Sequence, residues 1–192
     1  MAISTTPSPI SQSSQRLFAR HDLIPSQANT LWQIERGAVR TVTWSESGTL
    51  ITLGYWGAGD LVGQPLSRVI HYQIECLTSV ETTIIPPELW HLTVEAMMSH
   101  IWQTEELLSI IHRKPVSHRL WQFLIWLGQK FGRDVDLGRL IDVAVTHQEI
   151  AEVINTTRVS VTRMLQQFDE EGLLTRHQRR IILRVPIGTA KV

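Results

Sequence analysis

The chain has 192 residues, 43% of them hydrophobic, with 18 basic and 18 acidic side chains that cancel to zero net charge. That composition excludes a disordered chain, and the length is enough to bury a core without covalent staples. A single cysteine, Cys76, excludes an internal disulfide and any cysteine-ligated zinc or iron–sulfur site within one chain.

Residues 1–15 are rich in Ser, Thr, Pro and Gln, with neither a basic nor an apolar signal region, and are predicted to be a floppy tail. From Leu31 to Ile85 the pattern is one of short strands. Trp32–Gly37 and Ala38–Trp44 alternate apolar and polar residues, Ser45–Gly48 turns the chain, and Thr49–Leu53 returns as the second arm of a hairpin. Gly54, Gly57 and Gly59 mark a bend, Tyr72–Leu77 and Thr82–Ile85 read as two more strands, and Pro86-Pro87 ends the run. Several short strands with glycine turns predict a small antiparallel barrel or roll over 16–93.

The period then changes. Val94, Met97, Ile101, Thr104, Leu108 and Ile111 recur at steps of three and four, the spacing of a coiled-coil seam. This predicts a dimerisation helix over 94–114, with Met97, Ile101, Thr104, Leu108 and Ile111 at the interface. The competing reading is an amphipathic helix packed on its own barrel. Pro115 stops that helix, a second follows over 116–131, Gly132-Arg-Asp134 breaks it, and Leu140–Val145 reads as a strand.

Thr146-His-Gln-Glu149 has the form of a capping box, with a Thr side chain at the helix start and Glu three residues later. The helix it opens carries Ile150, Val153 and Ile154 on one side, and a small residue, Ala151, where another helix would cross. Asn155 suits a left-handed turn and Thr156-Thr157 offers a second cap. The next helix, 158–170, places Val161, Met164, Leu165 and Phe168 on its buried side. Two short helices across such a turn predict a helix-turn-helix.

The exposed side of the second helix presents Arg158, Val159, Ser160, Thr162, Arg163 and Gln166. Arginine can bond guanine through two donors, and a valine methyl can lie against a thymine methyl. Ser160, Thr162 and the helix start suit phosphate contacts. The segment 172–185 reads as a hairpin, a wing, with Arg176, Arg179 and Arg180 at its tip near a DNA backbone. Charge follows the same division. Residues 1–138 hold 10 basic and 12 acidic side chains, whereas residues 139–192 hold 8 and 6.

The run Val145–Leu165 resembles the DNA-binding signature of Crp/Fnr regulators. It is most similar to the branch containing the cyanobacterial nitrogen-control regulator, where Thr-Arg-Val-Thr-Val-Thr-Arg-Leu-Leu is typical. Looser matches are Leu31–Thr41 and Gly57–Gly63. The resemblance spans about residues 16–185 and implies an α+β fold: an N-terminal antiparallel β-roll like a cyclic-nucleotide-binding domain, a long dimerisation helix, and a C-terminal winged helix-turn-helix over 115–192. It implies a cytoplasmic homodimer that binds a palindrome in double-stranded DNA, with RNA polymerase a candidate partner and no membrane. The DNA contacts it implies lie at Thr146, His147, Gln148, Thr157, Arg158, Val159, Ser160, Thr162, Arg163, Arg176, Arg179 and Arg180. Val159 stands where the cyclic-AMP branch has Glu, which can accept from a cytosine amino group as Val cannot. The implied half-site is therefore GTA, with TAC in the partner half.

The effector region departs from the family. Gly63 is followed by Gln64, and Arg68-Val-Ile70 is not the phosphate-binding cassette of cyclic-nucleotide binders, so cyclic AMP is not expected. Gly63, Gln64 and Arg68 are the effector candidates, with 2-oxoglutarate near Arg68 as a candidate ligand. His71 and Cys76 read as ordinary strand residues sooner than haem ligands.

No metal site is expected. The eight histidines form no metal-binding motif, and no nucleophile–base set or phosphate loop points to an enzyme. The remaining alternative is a winged helix turned to protein binding, with Trp90 and Trp102 as candidate interface anchors, although core filling is the preferred reading of both.

Overall fold

The computed structural model describes residues 15–177 and 180–184. Eight strands make the first part: β1 (Gln15–Phe18), β2 (Leu23–Ile24), β3 (Leu31–Arg36), β4 (Val39–Trp44), β5 (Leu50–Trp56), β6 (Leu61–Val62), β7 (Gln73–Cys76) and β8 (Val80–Ile85). They form two antiparallel sheets, in the orders β1-β8-β3-β6 and β2-β7-β4-β5. The inward residues of both sheets, among them Ile24, Trp32, Ile34, Val39, Trp56, Ile74 and Val80, bury one apolar cluster, as the alternating pattern requires. Gln15 of the expected tail is already the first residue of β1, and the rest of that tail lies outside the described residues.

A 3-10 helix, Pro87–Leu92, leads into α1 (Val94–Ile111), and α2 (Val116–Phe131) follows. The chain then forms β9 (Gly132–Val135), β10 (Gly138–Ile141), α3 (His147–Val153), α4 (Arg158–Glu170), β11 (Leu174–His177) and β12 (Arg180–Leu183). These last four strands make a third sheet, in the order β11-β12-β10-β9. The strand expected over 140–145 is shorter and earlier. It pairs with 132–135, the segment read from sequence only as a helix break.

α1 uses more than one face. Leu107 and Ile110 are buried in a core shared with α2, and Ile111 packs against that core. Met97 packs toward Leu31, Leu61 and Ile85 of the roll. Two of the five expected seam residues, Met97 and Ile111, therefore turn toward the chain's own cores. Val94, Met98, Ile101, Trp102 and Leu108 are the exposed apolar residues of the helix, and Thr104 is exposed among them. Trp90 is not free as an anchor: its indole donates to the Ile85 carbonyl at 2.9 Å, and it packs in the same small core as Met97.

Polar side chains tie the helices to the roll. The His100 ring stacks on Trp56 with centroids 3.8 Å apart, and its Nδ1 lies 3.0 Å from the Leu61 carbonyl. Burial lowers the pKa of His100, which favours the neutral ring. Asp60, in the β5–β6 loop, accepts from Gln103 of α1 at 2.7 Å and from Lys130 of α2 at 2.6 Å. Lys130 also bonds Gln103. One carboxylate thus joins the roll to both helices in a half-buried setting.

Removing one partner of such a pair leaves the other charge uncompensated. Lys130→Met is expected to cost about 3 kcal/mol in urea unfolding, and Asp60→Asn added to it to recover part of that loss.

Candidate nucleic-acid interface

The helix-turn-helix is built as its sequence requires. The Thr146 hydroxyl accepts from the Glu149 amide at 3.1 Å, and the Glu149 carboxylate accepts from the Thr146 amide at 2.5 Å, closing the capping box of α3. Asn155 takes φ +50°, the left-handed conformation that reverses the chain between the helices. The Thr156 amide donates back to the Ala151 carbonyl at 2.9 Å. The Thr157 hydroxyl then caps α4 by accepting from the Ser160 amide at 3.1 Å. Ala151, Val161 and Leu165 are fully buried where α3 and α4 cross, with Phe168 packed on Trp121 of α2.

This packing decides what α4 shows to solvent. Arg158, Val159, Thr162, Arg163 and Gln166 are exposed, and Val159, at 68% of its full accessibility, is an apolar side chain with no core to join. The hydroxyls play a narrower part than expected. Thr162 donates to the Arg158 carbonyl at 3.0 Å and lies 2.8 Å from Nδ1 of His147, while Ser160 pairs with Thr157 at 3.0 Å. Thr162 braces α4 against α3, whereas the Ser160 contact stays within the capped first turn of α4. Gln148 donates to Glu152 along α3 at 3.1 Å. Burial lowers the pKa of His147, and the positive charges of Arg176 and Arg158 lower it further.

The wing is the hairpin of β11 and β12, with Arg176 opposite Ile181. Arg176 pairs with Asp169 at the end of α4 at 3.1 Å, and Arg180 with Asp142 at 3.4 Å. Arg179 lies outside the described residues. Arg176, Arg180, Thr146 and His147 line a cavity of about 210 Å³, and a third arginine joins them: Arg20, from the β1–β2 loop of the roll. Sequence reasoning missed Arg20. Its only signal is a lone arginine in a turn more than a hundred residues from the helix-turn-helix, which no local pattern connects to it.

The effector candidates take other roles. Gly63 has φ +151°, and a Cβ there would stand 2.5 Å from the Thr30 carbonyl oxygen, so glycine is required by backbone packing. Gln64 donates to the Ser67 carbonyl at 2.8 Å and accepts from Ser26 at 3.2 Å. Arg68 is exposed. None of the three lines the cavity of about 320 Å³ between the roll and α1, whose walls include Leu53, Trp56, Tyr72, His100, Thr104 and Glu105. Among the described residues, no cluster of side chains could hold a metal ion, and no helix is long and apolar enough to cross a membrane.

An antiparallel roll followed by a long helix and a winged helix-turn-helix with an exposed arginine-bearing second helix defines a DNA-binding regulator. Comparison with known proteins agrees. The Crp-like helix-turn-helix domain family matches residues 118–186. The regulatory protein CysR of Synechococcus elongatus is 39% identical over 173 residues, which cover 88% of this chain and 84% of that protein. The global nitrogen regulator of a Nostoc species is 36% identical over 182 residues, covering 85% and 81%. Among solved structures, a CRP-family transcriptional regulator of Thermus thermophilus superposes with a TM-score of 0.77 at 26% identity, covering 88% of this chain and 92% of that one. The chain belongs to the Crp/Fnr family of transcription regulators.

The turn gives a direct check on this construction. Asn155→Gly is expected to leave thermal and urea stability nearly unchanged. Asn155→Val, a β-branched residue forced to positive φ, should cost roughly 1–2 kcal/mol.

Proposed function

We propose that the chain acts as a homodimer that reads a palindromic site in double-stranded DNA, with α4 of each copy in a major groove. The roll over 16–93 is then a sensor-like domain, α1 within 94–114 the dimerisation helix, and 115–192 the DNA-binding domain. The observation that carries this reading is the exposed set Arg158, Val159 and Arg163 on a helix whose opposite side is completely packed. Arg158 and Val159, near the start of α4, are placed to reach base edges. Thr146, His147, Gln148, Thr157, Ser160 and Thr162 hold the helices and present backbone and polar groups toward phosphates. Arg176, Arg180 and Arg20 extend a positive surface along the flanking backbone. The copies pair through the exposed face of α1, Val94, Met98, Ile101, Thr104 and Leu108.

An effector would act in the cavity between the roll and α1, where α1 forms one wall. Its lining contains Glu105 but no Lys or Arg. An anion buried without a cation is costly, so this lining suits an uncharged, partly aromatic molecule better than cyclic AMP or 2-oxoglutarate.

Selection of bound duplexes from a random pool tests the reading. It should enrich a palindrome with GTA and TAC halves, and Arg158→Ala should abolish the enrichment while the protein stays folded. Val159→Glu should admit a C·G pair within the half-site. Substituting Arg20 or Arg176 by Ala should weaken binding to all sequences alike and lower the slope of log affinity against log salt by about 1 per dimer-symmetric contact. Enrichment of no sequence would instead favour a winged helix that binds protein.

A further inference from the structure

The helix-turn-helix does not hang from the roll by the linking helices alone. Arg40 lies on β4, in the interior of the sheet β2-β7-β4-β5, and only 7% of it is exposed. Its guanidinium meets carboxylates from both sides of the junction. Nη2 lies 2.8 Å from Glu75 on the neighbouring strand β7. Nη1 lies 3.5 Å from Glu149 and 3.7 Å from Glu152, both on α3. Burial alone would lower the pKa of Arg40, but the Glu75 bond and the charges of Glu75 and Glu149 outweigh it and raise the value.

The two halves of this cluster differ. Glu75 is held by a short hydrogen bond, whereas Nη1 is held toward α3 by charge alone, with no hydrogen-bond partner of its own among the described residues. Glu149 is also the residue that closes the capping box on Thr146. The carboxylate that starts α3 is therefore the one fixed to the roll. Elsewhere in this junction Tyr55 of β5 packs on Phe123 and Trp126 of α2, with ring centroids 5.7 and 6.3 Å apart, and Asp60 of the roll pairs with Lys130 of α2. The aromatic contacts are non-directional and do not by themselves set an angle. Arg40 supplies the directional contact to α3, as Asp60 and Lys130 do to α2. Without it, Glu75, Glu149 and Glu152 face one another across a part-buried seam with no cation between them.

We infer that Arg40 is a positioning residue for DNA recognition: by holding α3 against the roll it fixes the angle of the helix-turn-helix, and so the spacing between half-sites that the dimer accepts. The inference rests on the dimeric, palindrome-reading function proposed above. In a dimer paired through α1, each recognition helix is placed relative to its twin through roll, α1 and α3 together. Freedom at the Arg40 cluster in each copy becomes freedom in the distance and angle between the two α4 helices. One base pair added between half-sites moves the second by about 3.4 Å and turns it by roughly 34°. A rigid pair of helices rejects such a change, and a loosened pair tolerates it.

The test is binding of the full chain to a series of duplexes whose GTA and TAC halves are moved apart or together one base pair at a time, alongside a duplex carrying a single half. Wild type is expected to prefer one spacing over its neighbours by at least about tenfold. Arg40→Met should bind the preferred spacing more weakly, bring the neighbouring spacings to within about threefold of it, and leave single-half affinity unchanged. Glu152→Gln, which keeps both the capping box and the Arg40–Glu75 bond, should shift the profile in the same direction by less, and it serves if Arg40→Met does not fold. Lowered melting temperature with the wild-type spacing profile intact in these variants would overturn the inference and leave Arg40 a stabilising residue only. A wild type without spacing preference would instead overturn the dimeric reading beneath it.

Discussion

One of three apolar cores joins the roll to the helix-turn-helix and the wing. It starts at Ala38, Tyr55 and Leu77 of the roll, passes through Leu107 and Ile110 of α1 and most of the inner face of α2, and ends at Val161 and Leu165 of α4 and Leu174 and Leu183 of the wing. Hydrophobic burial is strong but has no preferred direction. Such a core can join the helix-turn-helix to the roll without dictating the angle between them. That task falls to a few buried and part-buried charges, Asp60 with Lys130 and Arg40 with its three glutamates, each placed where two or more elements meet. The division of labour is physical. Apolar area supplies the attraction, and ion pairs with fixed geometry supply the orientation.

The same logic explains how a chain of zero net charge can serve as a DNA-binding regulator. Many of the acidic residues are engaged in internal pairs, as Glu75, Asp60 and Asp169 are. Arg158 and Arg163 stay exposed on α4, and Arg20, Arg176 and Arg180 converge on one cavity beside it, drawn from sequence positions far apart. Local density of charge, not the total, is what a phosphate backbone senses.

The parts of the fold that were legible in the sequence are those specified locally. The capping box at Thr146 and Glu149, the left-handed turn at Asn155 and the spacing Val161–Leu165–Phe168 each depend on residues within one or two helical turns, and all three stand as read. The short strands β1, β2, β6 and β9 were not legible. Two to four residues are too few to show a period, and their pairing partners are remote. α1 misled for a different reason. It is apolar on several sides, so the a/d spacing picked out Met97 and Ile111, which pack inward, together with Ile101 and Leu108, which do not. Arg40 and Arg20 left no local signature at all. Their meaning comes from partners supplied by α3 and the wing, and only the tertiary structure brings those together.

In the proposed complex the N-terminal half of α4 enters the major groove of DNA. The most direct measurement places a photoactivatable cross-linking side chain at position 159 and irradiates the full-length protein on a bound duplex. Adducts are expected on bases within each half-site, and none when the same probe stands at Gln129 on α2. Adducts confined to protein, or to phosphates outside the half-sites, would contradict it.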